Sequence, residues 1–375
     1  MATIGSTAAP STNTIYYDSL LSTTLMAMRG TIYDNIFKDS AFLAYLRTTD
    51  AVKKQNGGER IAYPLMYGQS STVKSYAGEE TLDTTLQDGN TTAFYEWKEI
   101  GGTIGITRKE ERQNSGEGRL LNLLEVKIKQ AEMSMSEAIN KQLVLGTVSG
   151  TTFVPGNNAK DLYPLGYFFR KLNGTNPTIG GNVGNISASV TNDQGDTWWQ
   201  HRTAVLDSGT KDTGNTYAIN VSTYAGTNVA IKRLYNSCSR GSGGSPDLFL
   251  SDQVSFETYE NSLDTKTRYM NTKMADMGFD NVKVRGATYI WDEQVPSIDT
   301  GDIPGAANFT GSIFALNTKF YNLVIDSETD IITTPFVEPE NQTVKTAKIL
   351  FMGNAAVSNM RKHGVAYGLI QNIAA

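Results

Sequence analysis

Two strand-like stretches with almost nothing apolar between them constrain this chain more than any other feature. After the turn signal Gln55-Asn56-Gly57-Gly58, Ile61–Val73 and Phe94–Thr107 both read as β-structure, separated by a polar stretch from Lys74 to Thr92. That stretch holds Gly78-Glu79-Glu80 and Asp88-Gly89-Asn90, with Leu82 and Leu86 as its scattered apolar residues. A compact domain rarely tolerates so long a connection without a core of its own. Two readings stay open: an ordered surface excursion, or a long hairpin projecting from the body and resting on another subunit. An isolated two-stranded hairpin is only marginally stable in water. On the second reading Leu82, Leu86, Phe94 and Trp97 want a partner surface, and with Glu79, Glu80 and Asp88 they become candidates for a subunit interface.

A helix follows. Leu121, Leu124, Ile128, Ala131, Met135 and Ala138 recur at three- and four-residue steps, one apolar stripe at helical period. Gly116 and Gly118 precede it, and Gly146 ends it as a C-terminal glycine does. Glu125–Lys129 and Glu137–Lys141 are i,i+4 pairs of favourable order. Leu120 to Leu145 is 26 residues, about 39 Å at 1.5 Å per residue. A coiled-coil seam is the competing reading, but the pattern fades within four heptads, so a long helix lying along a sheet fits better. Arg119 and Glu125, at its start, complete the interface candidates.

The flanks are less distinctive. Residues 1–16 read as a flexible arm, and the apolar clusters Leu20–Met28 and Ile32–Leu46 as two or three short helices. Residues 147–200 are rich in Gly, Asn and Thr and end in Trp198-Trp199. Paired tryptophans can stack on sugars or bases, but a core or subunit-contact anchor is the more ordinary use. Beyond residue 201 helices and strands alternate. Ser251 is placed to cap a helix carrying Val254, Phe256, Tyr259 and Leu263. Strands are expected at Val282–Gly286, Ala287–Trp291, Ile313–Leu316, Tyr321–Ile325, Thr343–Met352 and Val365–Ile370.

Composition removes most catalytic classes. Of 375 residues, 33 are basic, 38 acidic, two are His and one is Cys. A single cysteine, Cys238, excludes an intrachain disulfide framework and multi-thiolate metal sites. His201 and His363 leave a His-based metal site or a Ser-His-Asp triad almost nothing to draw on. A net charge of −5 argues against a dedicated nucleic-acid-binding surface, which would be basic. No apolar run approaches the length of a membrane span, and Met1–Asn13 lacks the regions of a signal peptide, so a soluble chain is expected. Charged residues make up 19%, below the roughly 25% of an ordinary domain. A polar, uncharged surface loses water at lower cost than a Lys/Glu one, which suits a protein covered by neighbours.

Individual motifs add no chemistry. Arg240-Gly241-Ser242-Gly243-Gly244-Ser245 lacks the lysine of a phosphate loop and reads as a turn. The adjacent carboxylates Glu79-Glu80 and Glu110-Glu111 lack the spacing of a glycosidase pair. Asp326–Asp330 lacks the glycine and distal glutamate of an EF-hand loop and reads as a solvated turn. No catalytic, metal-ligating or cofactor-binding residue is nominated.

The order of parts is more informative: polar arm, projecting hairpin, long helix, mixed domain, terminal strands. It resembles the major capsid proteins of tailed double-stranded DNA phages, with the Hong Kong 97-like fold. Gly57–Leu65 looks like the entry to the extended E-loop, and Ala93–Lys98 with Ile104–Thr107 like its return. Asn114–Leu145 looks like the spine helix of the P-domain, and Pro246–Ser251, Gly286–Asp292 and Phe314–Thr318 like A-domain phrases. The resemblance implies an α+β fold. It divides the chain into an N-terminal arm with short helices (1–57), E-loop (58–107) and P-domain with spine helix at about 118–146 (108–200). An A-domain (201–342) and C-terminal strands returning to the P-domain (343–375) follow. It further implies a non-enzyme that self-assembles into the hexamers and pentamers of an icosahedral head, located in the virion and, during assembly, in the host cytoplasm. Its partners would be portal and, in some systems, scaffolding or decoration proteins. Packaged DNA would be touched only weakly, and no membrane or cofactor is involved. Some such shells are welded by a Glu-catalysed Lys–Asn isopeptide bond. Lys74, Asn354 and Asn359 supply the residue types, and nothing in the sequence brings them together. An encapsulin-type compartment shares the fold. A carbohydrate-binding or tail-fibre module and a carboxylate enzyme are the readings from other classes.

Overall fold

The computed structural model describes residues 40–86, 88–113, 123–145, 147–149, 152–154, 160–169, 182–192, 195, 197–205, 217–218, 224–263, 281–295, 312–339 and 343–367. The expected N-terminal arm, Arg119 and the Gly116–Leu121 start of the long helix lie outside them. In chain order the elements begin with helix α1 (Ala41–Thr48) and strands β1 (Val52–Gln55), β2 (Ile61–Met66), β3 (Asn90–Tyr95) and β4 (Lys98–Thr107). Helices α2 (Arg108–Gln113) and α3 (Leu123–Val144) follow, then β5 (Thr147–Ser149), β6 (Thr152–Val154), α4 (Leu165–Phe168), β7 (Arg202–Val205) and β8 (Tyr217–Ala218). Next come α5 (Tyr224–Cys238), β9 (Leu248–Ser251), α6 (Gln253–Asn261), β10 (Asn281–Val284) and β11 (Ala287–Trp291). The last are β12 (Ile313–Leu316), β13 (Tyr321–Asp326), β14 (Ile332–Thr333), β15 (Val344–Val357), a single 3-10 turn (Met360–Lys362) and β16 (Gly364–Tyr367).

The chain divides into two units. The smaller takes its described residues from Gly101–Met135 and Thr333–Ile349; the rest belong to the larger. In the larger unit a seven-stranded sheet runs β10-β11-β9-β12-β16-β7-β8. Its middle strands β9 and β12 are buried at every position, so they read in the sequence as unbroken apolar runs rather than alternating ones. Helices α5 and α6 cover one face: Ala230, Ile231, Leu234 and Cys238 from α5 and Phe256 and Tyr259 from α6 join Phe249, Val282, Val284, Tyr289, Ile313 and Ala366 in one core. Helix α5 lies so close to β16 that a Cβ on Gly364 would sit 2.7 Å from Leu234 Cδ1 and 2.8 Å from Cys238 Sγ. Glycine is the residue that permits this approach. The hairpin β10–β11 turns on Arg285-Gly286, with φ of +51° and +97°, the left-handed pair that a two-residue hairpin loop demands.

Several expectations are corrected here. Ser251 is not a helix cap: it ends β9, its hydroxyl shares a 2.8 Å hydrogen bond with Tyr289 Oη, and α6 starts after Asp252. The first strand-like arm stops at Met66 rather than Val73. The second splits, because Tyr95 is the last residue paired with β2 while β4 pairs with β15. The expected last strand, Val365–Ile370, is β16 as far as Tyr367, and it lies between β12 and β7 in the seven-stranded sheet, apart from β15.

In the smaller unit, Thr107 and Glu110 cap α2 reciprocally. Thr107 N donates to Glu110 Oε2 at 3.0 Å, and Glu110 N donates to Thr107 Oγ1 at 3.3 Å. These bonds, the Thr107 amide foremost, hold the Glu110 carboxyl below its ordinary value and make the capping box of a helix start. Lys127 of α3 donates to the same carboxylate at 3.2 Å and to Gly105 O at 3.0 Å. Helix α3 is 22 residues long. Its expected stripe is only partly buried: Ile128, Ala131 and Ala138 are half-buried, and the buried side is Met135, Ile139, Asn140, Leu143 and Val144. No helix among the described residues is long and apolar enough to cross a membrane.

Candidate intersubunit surface

The hairpin β2–β3 belongs to the larger unit and pairs in register from Ile61↔Tyr95 to Met66↔Asn90. Side chains alternate across a strand, so Ile61, Leu65, Ala93 and Tyr95 are buried while Ala62, Pro64, Met66 and Phe94 face outward. The inner face is held to the body by Tyr95, whose hydroxyl donates to Val357 O at 2.6 Å. The outer face is apolar yet uncovered: Met66 is 81% and Phe94 40% exposed.

Beyond Met66 the chain leaves the ladder and returns at Asn90. Within residues 67–89 every described side chain is exposed except Tyr67, Gly68, Thr72 and Gly89, and these four are half-buried. Val73 is 83% and Leu86 97% exposed; Tyr76 and Leu82 are also open. Six of the ten large apolar side chains exposed among the described residues fall between residues 66 and 94. Scattered surface hydrophobes are ordinary, but a concentration of them marks an interaction site. Within the loop, Thr85 N and Oγ1 donate to Asp83 Oδ1 at 3.0 and 2.6 Å. They hold the Asp83 carboxyl below its usual value.

Glu79, Glu80, Leu82, Leu86 and Asp88 therefore share one exposed loop, with Phe94 on the hairpin's outer face. Trp97 differs: it is half-buried, and its indole N–H donates to Gly58 O at 2.9 Å, tying it to its own chain. Glu125 is exposed on α3, in the smaller unit. Residues that the sequence did not single out sit at the loop's base. Tyr67 N and Gly68 N both donate to Gly89 O, at 2.9 and 3.3 Å, and Tyr67 Oη donates to Asp88 O at 3.1 Å. The only sequence signal for this neck is the glycine at each side of it.

The cysteine, the histidine and the motif residues considered for chemistry lie elsewhere. Cys238 is buried, and burial pushes its thiol up to about 12. His363 is fully buried; burial takes its pKa down to about 3, and its Nδ1 accepts from Asn317 N at 3.2 Å. Among the described residues no three His, Cys, Asp or Glu side chains gather as a metal site. The glycine-rich loop after α5 does meet a lysine, though not one of its own: Lys362 Nζ donates to Arg240 O, Gly241 O and Gly244 O at 3.0, 3.0 and 3.1 Å. The loop is a cradle for a buried ammonium, which local sequence could not reveal. Asn354 is fully buried, its Oδ1 accepting from Tyr163 N and Ala355 N and its Nδ2 donating to Glu96 O at 2.7 Å. Asn359 Oδ1 accepts from Arg361 N at 3.2 Å. Trp199 is bolted into the larger unit by an indole bond to Val183 O at 2.9 Å, the core use of the tryptophan pair.

Protein-family models and curated proteins yield no match to the chain. Solved structures do. The cyanophage A-1(L) capsid superposes with a TM-score of 0.61 at 16% identity, covering 93% of this chain and 98% of that one. The capsid of the Myoviridae phage XM1 gives 0.56 at 10% identity, covering 92% and 97%. The capsid of a native GTA particle gives 0.52 at 7% identity, covering 96% and 99%. At these identities the likeness is one of fold. It runs through nearly the whole of both chains, and the molecule has the mixed α+β fold of phage capsid subunits.

Proposed function

We propose that this chain is the major capsid protein of a tailed double-stranded DNA phage, and that its copies assemble into an icosahedral head around the genome. The observation that carries this reading is the common fold with phage capsids over more than nine-tenths of both chains. In this reading residues 58–107, with β2, β3 and the 67–89 loop, are the E-loop; 108–200 with α3 as spine are the P-domain; and 201–342 are the A-domain. Residues 1–57 form the arm, and 343–375 the C-terminal strands. The fold is of the Hong Kong 97 type.

The physical chemistry fits that work. A shell of many copies needs numerous modest contacts, since one very tight contact would trap misassembled pieces. A projecting hairpin supplies such contacts by covering a neighbour's surface and adding strands to its edges. Its Met66, Val73, Tyr76, Leu82, Leu86 and Phe94 are exposed at a cost in the free chain, and burying them against a second copy returns it. Glu79, Glu80 and Asp88 flank them and set the register of that contact by charge. Arg119 and Glu125 at the spine are the partner candidates. A net charge of −5 keeps the lining from gripping DNA tightly. Portal and, where present, scaffolding or decoration proteins complete the partners. The chain works by fitting to copies of itself, without chemistry on a small molecule, in the virion after assembly in the host cytoplasm.

Shortening the loop by residues 78–86 tests the reading. Normal folding of the variant with loss of closed particles is the expected result; undiminished yield of normal shells would remove the clamp role.

A further inference from the structure

The glycine-rich loop between α5 and β9 grips an ammonium with its carbonyls and turns its amides the other way. Lys362, 2% exposed, donates from Nζ to Arg240 O, Gly241 O and Gly244 O at 3.0, 3.0 and 3.1 Å. In a planar trans peptide the N–H points opposite to the C=O. Carbonyls aimed at Lys362 therefore turn the N–H groups of Gly241, Ser242 and Ser245 away from it. None of the three has an acceptor among the described residues, and Gly241 and Ser242 are exposed. Gly241 and Gly243 lie at φ +86° and +112°, with Ser242 between them outside the positive range. Such alternation brings successive N–H groups to one side, the arrangement of backbone concavities that hold anions.

Cations gather at this loop. From Thr213 to Pro246 the sequence holds no carboxylate, in a chain whose acids outnumber its bases. Arg240 opens the loop and is exposed. Arg233 and Asn236 share the exposed side of α5, and Asn236 Oδ1 accepts from Arg285 Nη1, which brings in a further guanidinium from the β10–β11 turn. Gly243, Gly244 and Ser245 also line an open cavity of about 400 Å³ together with Lys53 and Lys319, both exposed. Its carboxylates are Asp50 and Asp247, and Asp247 is already engaged, accepting from Thr318 N at 2.8 Å and from Thr318 Oγ1. None of Arg233, Arg240, Arg285, Lys53 and Lys319 is in an ion pair among the described residues. The loop thus stands in a local excess of positive charge.

We propose that the Arg240–Ser245 loop is a binding site for a phosphate group, taken by the outward amides of Gly241 and Ser242 and by the Arg240 side chain. A phosphate offers several strong acceptor oxygens to amides and to the fork of a guanidinium. Lys362 is a positioning residue: it does not reach the ligand but fixes the carbonyls inward, which holds the amides outward, and its charge stands behind them. A protein partner fits this surface less well, since interface cores are apolar and aromatic and Val229 is the one large apolar side chain exposed among the described residues of α5. A free phosphate compound and a DNA backbone share the chemistry. The site itself does not rest on the capsid reading; only DNA as its natural source does.

Calorimetric titration of the full chain with inorganic phosphate at low salt tests the site, and fluorescence anisotropy with a labelled DNA duplex of arbitrary sequence tests the source. The parent is expected to bind phosphate saturably. Ser242→Ala keeps the backbone N–H and should stay within about twofold of the parent. Ser242→Asp sets a carboxylate against the amides and should weaken binding by about tenfold or more, and Arg240→Ala by roughly tenfold. Lys109→Ala, exposed in the smaller unit, removes one charge elsewhere and should change binding less than about twofold. All of these positions are exposed, so the unfolding midpoints should hold. A parent that binds no phosphate, equal binding by parent and Ser242→Asp, or a loss in Lys109→Ala matching that in Arg240→Ala would overturn the site. Duplex binding that weakens in Ser242→Asp and Arg240→Ala, with the salt slope of Arg240→Ala smaller by about one, makes a DNA backbone the source. Phosphate binding with the duplex unbound, or bound equally by all variants, supports the site for a small phosphate compound and overturns DNA as its source.

Discussion

Asn140 and Asp292, 152 residues apart, meet in the interior of the larger unit, the amide Nδ2 donating to both carboxylate oxygens at 3.1 and 3.0 Å. Around that pair, Phe42 N donates to Asp292 Oδ2 at 3.0 Å, Gln294 N to Oδ1 at 2.9 Å, and Leu43 N to Asn140 Oδ1 at 3.3 Å. Ser40, at the N-terminus of α1, makes no side-chain cap. The first amides of that helix are instead satisfied by residues remote in sequence, one from α3 and one from the end of β11. Burial pushes the Asp292 carboxyl up, and the bonds from Phe42, Gln294 and Asn140 draw it back.

Asp292→Ala removes the acceptor from three donors at once. It should destabilise the protein by about 2–4 kcal/mol, the cost of leaving several buried polar groups unpaired. Asp292→Asn, which keeps one carbonyl acceptor, should cost less. Urea unfolding of both variants checks the order; equal and small losses would mean the cluster is solvated.

His363 gives the protein an acid limb. Its folded pKa, about 3, lies below the ordinary 6.5, so the unfolded chain takes up the proton first. Stability is therefore complete above pH 6.5 and falls as the pH drops toward 3. Between pH 6.5 and 5 the loss from this one group is about 2 kcal/mol. His363→Gln should lose that much less than the parent over the same interval, measured by denaturant unfolding at the two pH values. Identical slopes for parent and variant would contradict the burial of a neutral imidazole.

Much of this was legible in the sequence, for reasons particular to each segment. Ile313–Leu316 and Tyr321–Ile325 matched their strands closely because short apolar runs bounded by a turn leave little choice. The long helix was visible by its period, but which face it buries was not. Asn140 enters the interior only because Asp292 awaits it, a pairing no local pattern encodes. Ser251 had the right chemistry for a cap and a better partner in Tyr289. The strand-like character of Phe94–Thr107 marked it as extended, but it cannot say that the chain changes sheets between Tyr95 and Lys98. The exposed loop was legible from its poverty in apolar residues. Its neck was not, since Tyr67 and Trp198 stand far apart in sequence and meet only as a stack.

Gly364→Ala should destabilise by about 1–3 kcal/mol through overpacking, because the added methyl meets Leu234, Cys238 and the Arg202 carbonyl within 3.1 Å. Thermal melts compare it with Gly195→Ala, where nothing lies within 4 Å but φ is +80°. A smaller loss at Gly364 than at Gly195 would mean α5 can draw back from β16.

Leu82→Ser with Leu86→Ser probes the exposed loop without disturbing a core. Substitutions at such open positions usually stay within about 0.5 kcal/mol, so the unfolding midpoint should hold while particle yield drops severalfold. A parallel fall of both would place these side chains in the protomer's own packing.

Electron microscopy of the purified full-length protein in negative stain bears most directly on all of this. Closed shells of regular outline, built from this chain alone or with its assembly partners, are the expected result. A population that stays monomeric under every assembly condition, with the 67–89 loop protected from protease, would contradict it.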